Sequence, residues 1–207
     1  MPDRTVSIRE IRQSEGGAQF GVYTEDGYAF SLSAKGIYDT GISVGKTYGA
    51  EAVEEIRCYA AEEKVFRRAV YLLGNRDYGS EELLRKLAAE GENGEKAVAR
   101  LVSLGYIDDV AYARKVIARY APSYGRRRVE TELKKRFLSR EVYEELLENL
   151  WDEAPETIRE ELCRRMCGQE IRDRKEYQKM FAYFLRRGYD AEEIRQAFGE
   201  YKEDTDL

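Results

Sequence analysis

The sequence predicts a mainly α-helical protein, in which a tandem array of three three-helix repeats follows a small β-rich N-terminal module. The first observation is an internal repeat: an apolar helix anchor recurs at intervals of 45 to 51 residues, and a second anchor follows each one after 13 or 14 residues. The anchor pairs are Leu87 and Leu101, Leu133 and Leu146, and Phe184 and Ala197. A period of roughly 45 residues is typical of stacked helical arrays, in which each unit buries its apolar face on its neighbours. The second observation is a change from strand-like to helical spacing near residue 50.

Residues 1–50 are predicted to form the β-rich module. Phe20 and Val22 occupy alternate positions, and Phe30 and Leu32 do so again after an Asp-Gly pair. Period-two runs on either side of such a pair indicate a β-hairpin, because Asp-Gly readily adopts the tight turn between two strands.

Residues 51–108 form the first predicted helical repeat. The second helix of this repeat opens at Gly79, with Glu82 placed to complete a capping interaction. Gly105 ends the third helix, since glycine readily adopts the left-handed backbone conformation. Apolar residues three or four apart mark the faces of the first and third helices: Val65, Ala69 and Leu72, then Val98, Leu101 and Val102.

Residues 109–153 form the second predicted repeat, and residues 154–207 form the third, which ends in an acidic tail. One helix stops before Pro122, and Pro155 is compatible with the first turn of another. The apolar faces of these six helices are Ala113, Val116, Ile117 and Tyr120; Val129, Leu133 and Phe137; Val142, Leu146 and Leu150; Ile158, Leu162 and Met166; Met180 and Phe184; and Ile194 and Phe198. Together with the first repeat, the prediction is nine helices in three sets of three.

The composition argues against several chemistries. Histidine is absent, which removes Ser-His and Cys-His catalysis and His-containing metal sites. Cys163 and Cys167 would share one helix face, but zinc needs about two more soft ligands, and Cys58 is the remaining thiol. We therefore interpret the pair as small buried side chains. No GxxxxGK[ST] or GxGxxG loop occurs, so we expect no ATPase activity and no cofactor.

The same composition predicts a soluble, cytosolic protein. No apolar run approaches the roughly 20 residues of a membrane span. The N-terminal residues lack the apolar core of a signal peptide.

The net charge of −5 conceals two oppositely charged segments. Residues 112–140 contain ten Lys or Arg against two Glu, whereas residues 141–163 contain nine Asp or Glu against one Arg. Arginines at 126 to 128 begin a predicted helix, where the helix dipole disfavours cations by a few tenths of a kcal/mol. A function other than helix stability should therefore account for these arginines. A local positive surface can bind phosphates or acidic protein.

We call Arg126, Arg127, Arg128, Lys134 and Lys135 the basic ridge. Arg114, Lys115 and Arg119 extend it from the preceding helix, and Lys179, Arg186 and Arg187 are further candidates in the third repeat. These eleven residues are the predicted partner-binding or DNA-binding set. The alternative interpretation is a solvated face whose charge is balanced by Glu130, Glu132 and the acidic segment.

Asp108 and Asp109 are the carboxylate pair that most suggests an enzyme. A two-metal nuclease needs several carboxylates converging on ions roughly 3.5–4 Å apart, which neighbouring residues in a turn do not supply. Asp109 occupies the position expected for a helix N-cap, so we interpret the pair as structural.

Four groups of residues, in this order and spacing, resemble the RecX family of bacterial modulators of the RecA recombinase. They are Arg76, Glu82, Leu83, Lys86, Leu87 and Gly91; GYIDD at 105–109 with AYA at 111–113; Gly125, Arg128, Val129, Leu133 and Arg136; and Lys179, Phe184, Leu185, Arg187, Gly188, Tyr189 and Ile194. The chain departs from the family at Gly79, where Ser or Thr is usual, and at Phe137, where a helix-ending glycine is usual.

The resemblance implies tandem three-helix units, in agreement with the repeat. It also implies a non-enzymatic regulator that binds the groove of a RecA–DNA filament and restrains its recombinase, ATPase and co-protease activities. The implied partner is the RecA filament, with the single-stranded DNA inside it as a further candidate, and we expect a monomer. Two alternatives stay open: a stand-alone helical DNA-binding module or transcription factor, and a metal-dependent nuclease using the Asp pair.

Overall fold

The computed structural model describes residues 5–148, 154–166, 171 and 173–199 of the chain. This described part contains four strands and ten helices. The strands are β1 (Thr5–Gln13), β2 (Phe20–Thr24), β3 (Gly27–Leu32) and β4 (Thr47–Gly49). The helices are α1 (Ala34–Thr40), α2 (Ala50–Asn75), α3 (Ser80–Ala89), α4 (Glu95–Ser103), α5 (Asp109–Tyr120), α6 (Arg126–Lys134), α7 (Arg140–Glu148), α8 (Ala154–Met166), α9 (Arg174–Arg186) and α10 (Ala191–Phe198).

The four strands form one antiparallel sheet in the order β3-β2-β1-β4. Strands β2 and β3 are the predicted hairpin, with Val22 opposite Phe30. Gly27 begins β3 with a φ of 102°, a conformation that side chains disfavour and glycine accepts. The β-rich module is thus confirmed.

Helix α1 lies within this module and was not predicted. The Ser33 side chain accepts a hydrogen bond from the Gly36 amide at its start, and Gly41 ends it with a φ of 63°. The strand-like alternation ends at Leu32, and a seven-residue helix is too short to show a clear apolar period.

The chain forms two compact units. The first comprises Met1–Asp77 and Leu83–Tyr106, and the second comprises Tyr78–Glu82 and Ile107–Leu207. The four-part division made from the sequence stays a prediction.

The core of the first unit joins the sheet to the beginning of α2. Its buried members are Ile8, Val22, Phe30, Leu32, Ile42, Val53, Ile56 and Ala60. The last three belong to α2. The secondary structure therefore changes at Gly49, but the hydrophobic core continues across that point.

Nine of the described helices follow the module, in the predicted sets α2–α4, α5–α7 and α8–α10. Four of them end in one geometry, the Schellman motif, in which an amide bonds a carbonyl five residues earlier around a left-handed residue. The amide–carbonyl pairs are Glu92 to Leu87, Tyr106 to Leu101, Leu138 to Leu133, and Tyr189 to Phe184. The left-handed residues are Gly91, Gly105, Phe137 and Gly188. Four sequence anchors are thus the acceptors that close these helices, and all four are buried.

Two details of the second repeat differ from the prediction. Helix α6 ends at Lys134, and Phe137 is 44% exposed because its φ of 57° turns the chain, so Leu138 enters the core instead. In α7 the fully buried positions are Tyr143 and Leu147. The predicted Val142 and Leu146 are half-buried beside them, because the apolar stripe is two residues wide. The predicted Leu150 lies outside the described residues.

The second unit contains two buried clusters. The cluster of α5–α7 consists of Ala113, Val116, Ile117, Val129, Leu133, Leu138, Tyr143 and Leu147. The cluster of α8–α10 consists of Ile158, Phe184, Tyr189, Ile194 and Ala197.

Candidate partner-binding surface

The start of α6 is held by main-chain hydrogen bonds to the turn between α9 and α10. The Gly125 amide donates to the Arg187 carbonyl at 3.0 Å, and the Arg127 amide donates to the Gly188 carbonyl at 3.1 Å. A Cβ on Gly125 would lie 2.4 Å from the Tyr189 nitrogen, and one on Gly188 would lie 2.5 Å from the Arg128 nitrogen. Both positions therefore require glycine. We call this contact the glycine clasp.

Every cation of the basic ridge has a carboxylate partner. Arg126 pairs with Glu130 at 3.2 Å and with Glu144 at 3.0 Å; Arg127 with Asp190; Arg128 with Glu132 at 3.2 Å; Lys134 with Glu130 at 3.4 Å; and Lys135 with Glu132 at 2.9 Å. These are the acids that the balanced-face interpretation named, together with Asp190 from the third repeat. The ridge is therefore largely neutralised within the second unit.

Glu132 is the centre of this network. It is the buried charged residue of the described part, at 6% exposure, and Arg136 also pairs with it at 3.2 Å. Hydrogen bonding from Lys135, followed by that from Arg136, holds the pKa of Glu132 below the ordinary value of 4.5, against the opposing effect of burial. A carboxylate held ionised in this way fixes the neighbouring cations to α6.

Arg187 is a structural residue in its observed surroundings. Its guanidinium is half-buried, pairs with Glu161 at 3.3 Å, and lies over the rings of Tyr124 and Tyr183 at 5.5 and 5.0 Å. Arg119 is exposed and lies over the ring of Tyr120 at 5.8 Å.

The remaining candidates are exposed. Arg114 on α5, and Lys179 and Arg186 on α9, form no ion pair with any described residue, whereas Lys115 is exposed but engaged. Lys175, one turn before Lys179, is exposed and unpaired in the same sense. Lys175 was not among the predicted residues, although its four-residue spacing from Lys179 indicates a shared helix face.

The Asp pair is structural, but its roles differ from the prediction. Asp108, not Asp109, is the N-cap of α5, and its side chain accepts from the Ala111 amide at 2.9 Å. The Asp109 carboxylate accepts instead from the amide of Ser80 at 2.7 Å and from the Ser80 hydroxyl. Asp109 therefore caps the first turn of α3, just after Gly79.

The cysteines also differ from the prediction. Cys163 is exposed rather than buried, and so is Cys58. The buried positions of α2 nearest to Cys58 are Val53, Ile56 and Ala60, so Cys58 falls on the opposite side of the helix. Cys167 lies outside the described residues. Within the described part of the chain, no three His, Cys, Asp or Glu side chains are grouped so as to hold a metal ion.

The repeated helix ends and the helices in sets of three define the class of this protein: a tandem three-helix-repeat protein. A family model described as "RecX, third three-helix domain" matches residues 152–198. Regulatory protein RecX of Vibrio vulnificus is 30% identical over 140 residues, which are 64% of this chain and 89% of the relative. Regulatory protein RecX of Trichlorobacter lovleyi is 31% identical over 154 residues, which are 68% of this chain and 93% of the relative. The chain belongs to the RecX family.

Further similarities extend over nearly the whole chain. Regulatory protein RecX of Caldanaerobacter subterraneus subsp. tengcongensis is 27% identical over 194 residues, covering 92% of this chain and 97% of the relative. A crystal structure of regulatory protein RecX superposes with a TM-score of 0.66 at 16% identity, covering 91% of this chain and 96% of that one. A crystal structure of RecX from Lactobacillus salivarius gives 0.55 at 18% identity, covering 66% and 94%. These structures confirm the predicted fold. None of the described helices is both long and apolar enough to cross a membrane.

Proposed function

We propose that this protein is a non-enzymatic regulator that binds the RecA–DNA filament along its groove in the cytoplasm. There it would modulate the recombinase, ATPase and co-protease activities of RecA in DNA repair and the SOS response. The observation that carries the proposal is membership of the RecX family, with similarity over 92% of this chain to a relative named regulatory protein RecX.

The repeated helix ends support this proposal. Leu87, Leu101, Leu133 and Phe184 close their helices with the same hydrogen-bond geometry, so the repeats offer related surfaces to a partner. A RecA filament is itself periodic. Linking several weak contacts raises the effective concentration of each and multiplies affinity by about 10² to 10⁴. The protein should therefore prefer the assembled filament to free RecA.

The charge distribution argues against the main alternative, a stand-alone duplex-binding module. Binding of that kind typically rests on about six to ten phosphate contacts. The five cations of the basic ridge already have carboxylate partners, and the chain carries a net charge of −5. Binding to a protein partner needs no such phosphate contacts, and the family membership supports a protein partner.

The test is DNA-stimulated ATP hydrolysis by preformed RecA filaments while this protein is titrated in. Loss of hydrolysis well below one molecule per RecA protomer is expected if a bound molecule blocks filament growth. Inhibition that needs one molecule per protomer would mean simple occupancy of the groove. No change in hydrolysis at any ratio would contradict the proposed function.

Two controls make the result specific. Hydrolysis by RecA without DNA should not respond, because no filament groove is present. A Cys58→Ser variant should act like the unmodified protein, because Cys58 is exposed and the substitution leaves the charge unchanged.

A further inference from the structure

We propose that the exposed face of α9 binds the phosphate backbone of single-stranded nucleic acid through Lys175, Lys179 and Arg186, which we call the α9 stripe. This inference deepens the proposed function, on which it rests for its setting, by adding a direct nucleic-acid contact. It also moves that contact away from the basic ridge.

The three cations share one side of the helix. They are four and seven residues apart, which at 3.6 residues per turn brings all three close to a single line along the axis. With a rise of 1.5 Å per residue, the steps are about 6 and 10.5 Å. All three side chains are exposed in the described structure. The stripe therefore offers a short row of positive charge to a linear polyanion.

The stripe differs from the basic ridge in how its charge is balanced. On α6, Glu130 and Glu132 lie three or four residues from the ridge cations and pair with them. The stripe cations have no ion-pair partner among the described residues. Like charges one helical turn apart weaken a helix, so the sequence keeps Lys175 and Lys179 at a cost in helix stability. An external anion would remove that repulsion.

The composition of the stripe favours nucleic acid over an acidic protein surface. Protein interfaces are depleted of lysine and enriched in buried aromatic anchors, whereas nucleic-acid interfaces are polar and strongly positive. The aromatic residues of α9 face the other way: Tyr177 and Phe181 stack on each other, and both contact the Phe198 ring of α10. Between the cations of the stripe lie the exposed Gln178 and the half-buried Ala182, and the exposed Leu185 is the residue before Arg186.

The experiment measures binding of the full-length protein to a short, fluorescently labelled oligothymidylate by anisotropy over a range of salt concentrations. Each single-strand phosphate neutralised contributes about 0.7 to the slope of log affinity against log salt. The triple variant Lys175→Gln, Lys179→Gln, Arg186→Gln should therefore lose about 2 from that slope and bind on the order of 10²-fold more weakly at low salt. The conservative triple variant Lys175→Arg, Lys179→Arg, Arg186→Lys should bind like the unmodified protein.

The matched control removes three cations from the ridge: Arg128→Gln, Lys134→Gln and Lys135→Gln. Because these cations are internally paired, the slope should change little. An equal loss from the ridge triple would overturn the assignment to the stripe. Circular dichroism of each variant confirms that the helices remain, so a loss of binding reports on the surface.

Two outcomes separate this inference from the proposed function. If the unmodified protein does not bind oligothymidylate, the inference is overturned. It is also overturned if polyglutamate competes as strongly as the oligonucleotide, because the stripe would then bind acidic protein equally well. If stripe-dependent oligonucleotide binding is found but RecA hydrolysis never responds, the inference stands and the proposed function fails.

Discussion

Phe137 holds a backbone conformation that glycine holds at the other three Schellman helix ends. Its φ is 57°, whereas Gly91, Gly105 and Gly188 have φ values of 79°, 76° and 90°. For a residue with a Cβ, the left-handed conformation costs about 1–2 kcal/mol. Glycine avoids that cost but loses about 0.5–1 kcal/mol more conformational entropy on folding. At this position we therefore expect glycine to be more stable than alanine by about 1 kcal/mol.

The informative comparison is Phe137→Gly with Phe137→Ala, because both remove the same aromatic ring. Full burial of such a ring is worth about 1.5–3 kcal/mol, and a side chain that is 44% exposed contributes roughly half of that. Phe137→Ala should thus destabilise the protein by about 1 kcal/mol. Phe137→Gly should leave the stability nearly unchanged, because relief of strain offsets the lost contact.

The measurement is urea denaturation followed by far-ultraviolet circular dichroism. Thr131, exposed in the middle of α6, supplies the opposite control: there Gly should be less stable than Ala by about 1 kcal/mol, because the backbone is helical. Equal stability of the alanine and glycine variants at Phe137, or the order seen at Thr131, would refute the argument from backbone strain.

Three further predictions concern stability. Gly188→Ala should lower the free energy of unfolding by more than about 2 kcal/mol, because its Cβ would lie 2.5 Å from the Arg128 backbone. Gly105→Ala is the control: its Cβ would meet open space, so the loss should be only about 1 kcal/mol. Thermal melts that show equal losses for the two variants would contradict the glycine clasp. Glu132→Gln should destabilise the protein by about 1–2 kcal/mol at neutral pH. Since the folded-state pKa of Glu132 is lowered, the difference from the unmodified protein should be present above pH 4.5 and shrink as the pH falls through that lower pKa; a pH-independent difference would argue against it. Removal of residues 1–49 should leave a helical fragment that unfolds cooperatively but associates, because it exposes the sheet-facing residues of α2; circular dichroism and gel filtration test both, and a gradual melt would contradict it.

The helical part of the fold could be predicted from the sequence because its signals are local. Leu133 recurs at the repeat interval and lies on the same face as Val129, so spacing alone marks the core of α6. The end of that helix could not be predicted, because a left-handed residue is normally indicated by glycine and this position is Phe137. In α7, Val142 and Tyr143 are both apolar enough to be buried. Tyr143 is the one that is buried, and this depends on how the neighbouring helices pack against α7.

The candidate surface was less predictable. The charge of a segment can be read from its own residues, but the ion-pair partners of those residues can lie far away in the sequence. The sequence marks Arg127 as part of a positive segment, but its partner Asp190 lies 63 residues away. The Asp109 carboxylate likewise accepts a hydrogen bond from the amide of Ser80, 29 residues earlier, and does not cap its own helix. Lys175 and Lys179 have no carboxylate partner among the described residues, and this follows from the tertiary structure, not from the sequence.

The glycine clasp has a consequence for which mutations this part of the chain can tolerate. Its two hydrogen bonds join main-chain groups, so they do not depend on the side chains at Arg127 and Arg187. Substitution of Arg127, whose side chain is exposed, can alter the outer surface while the register of α6 against the α9–α10 turn is kept. Gly125 and Gly188, by contrast, admit no side chain at all. The exposed surface in this region can therefore diversify while these two glycines are held fixed, and a library confined to exposed positions such as Arg127 should still yield folded proteins.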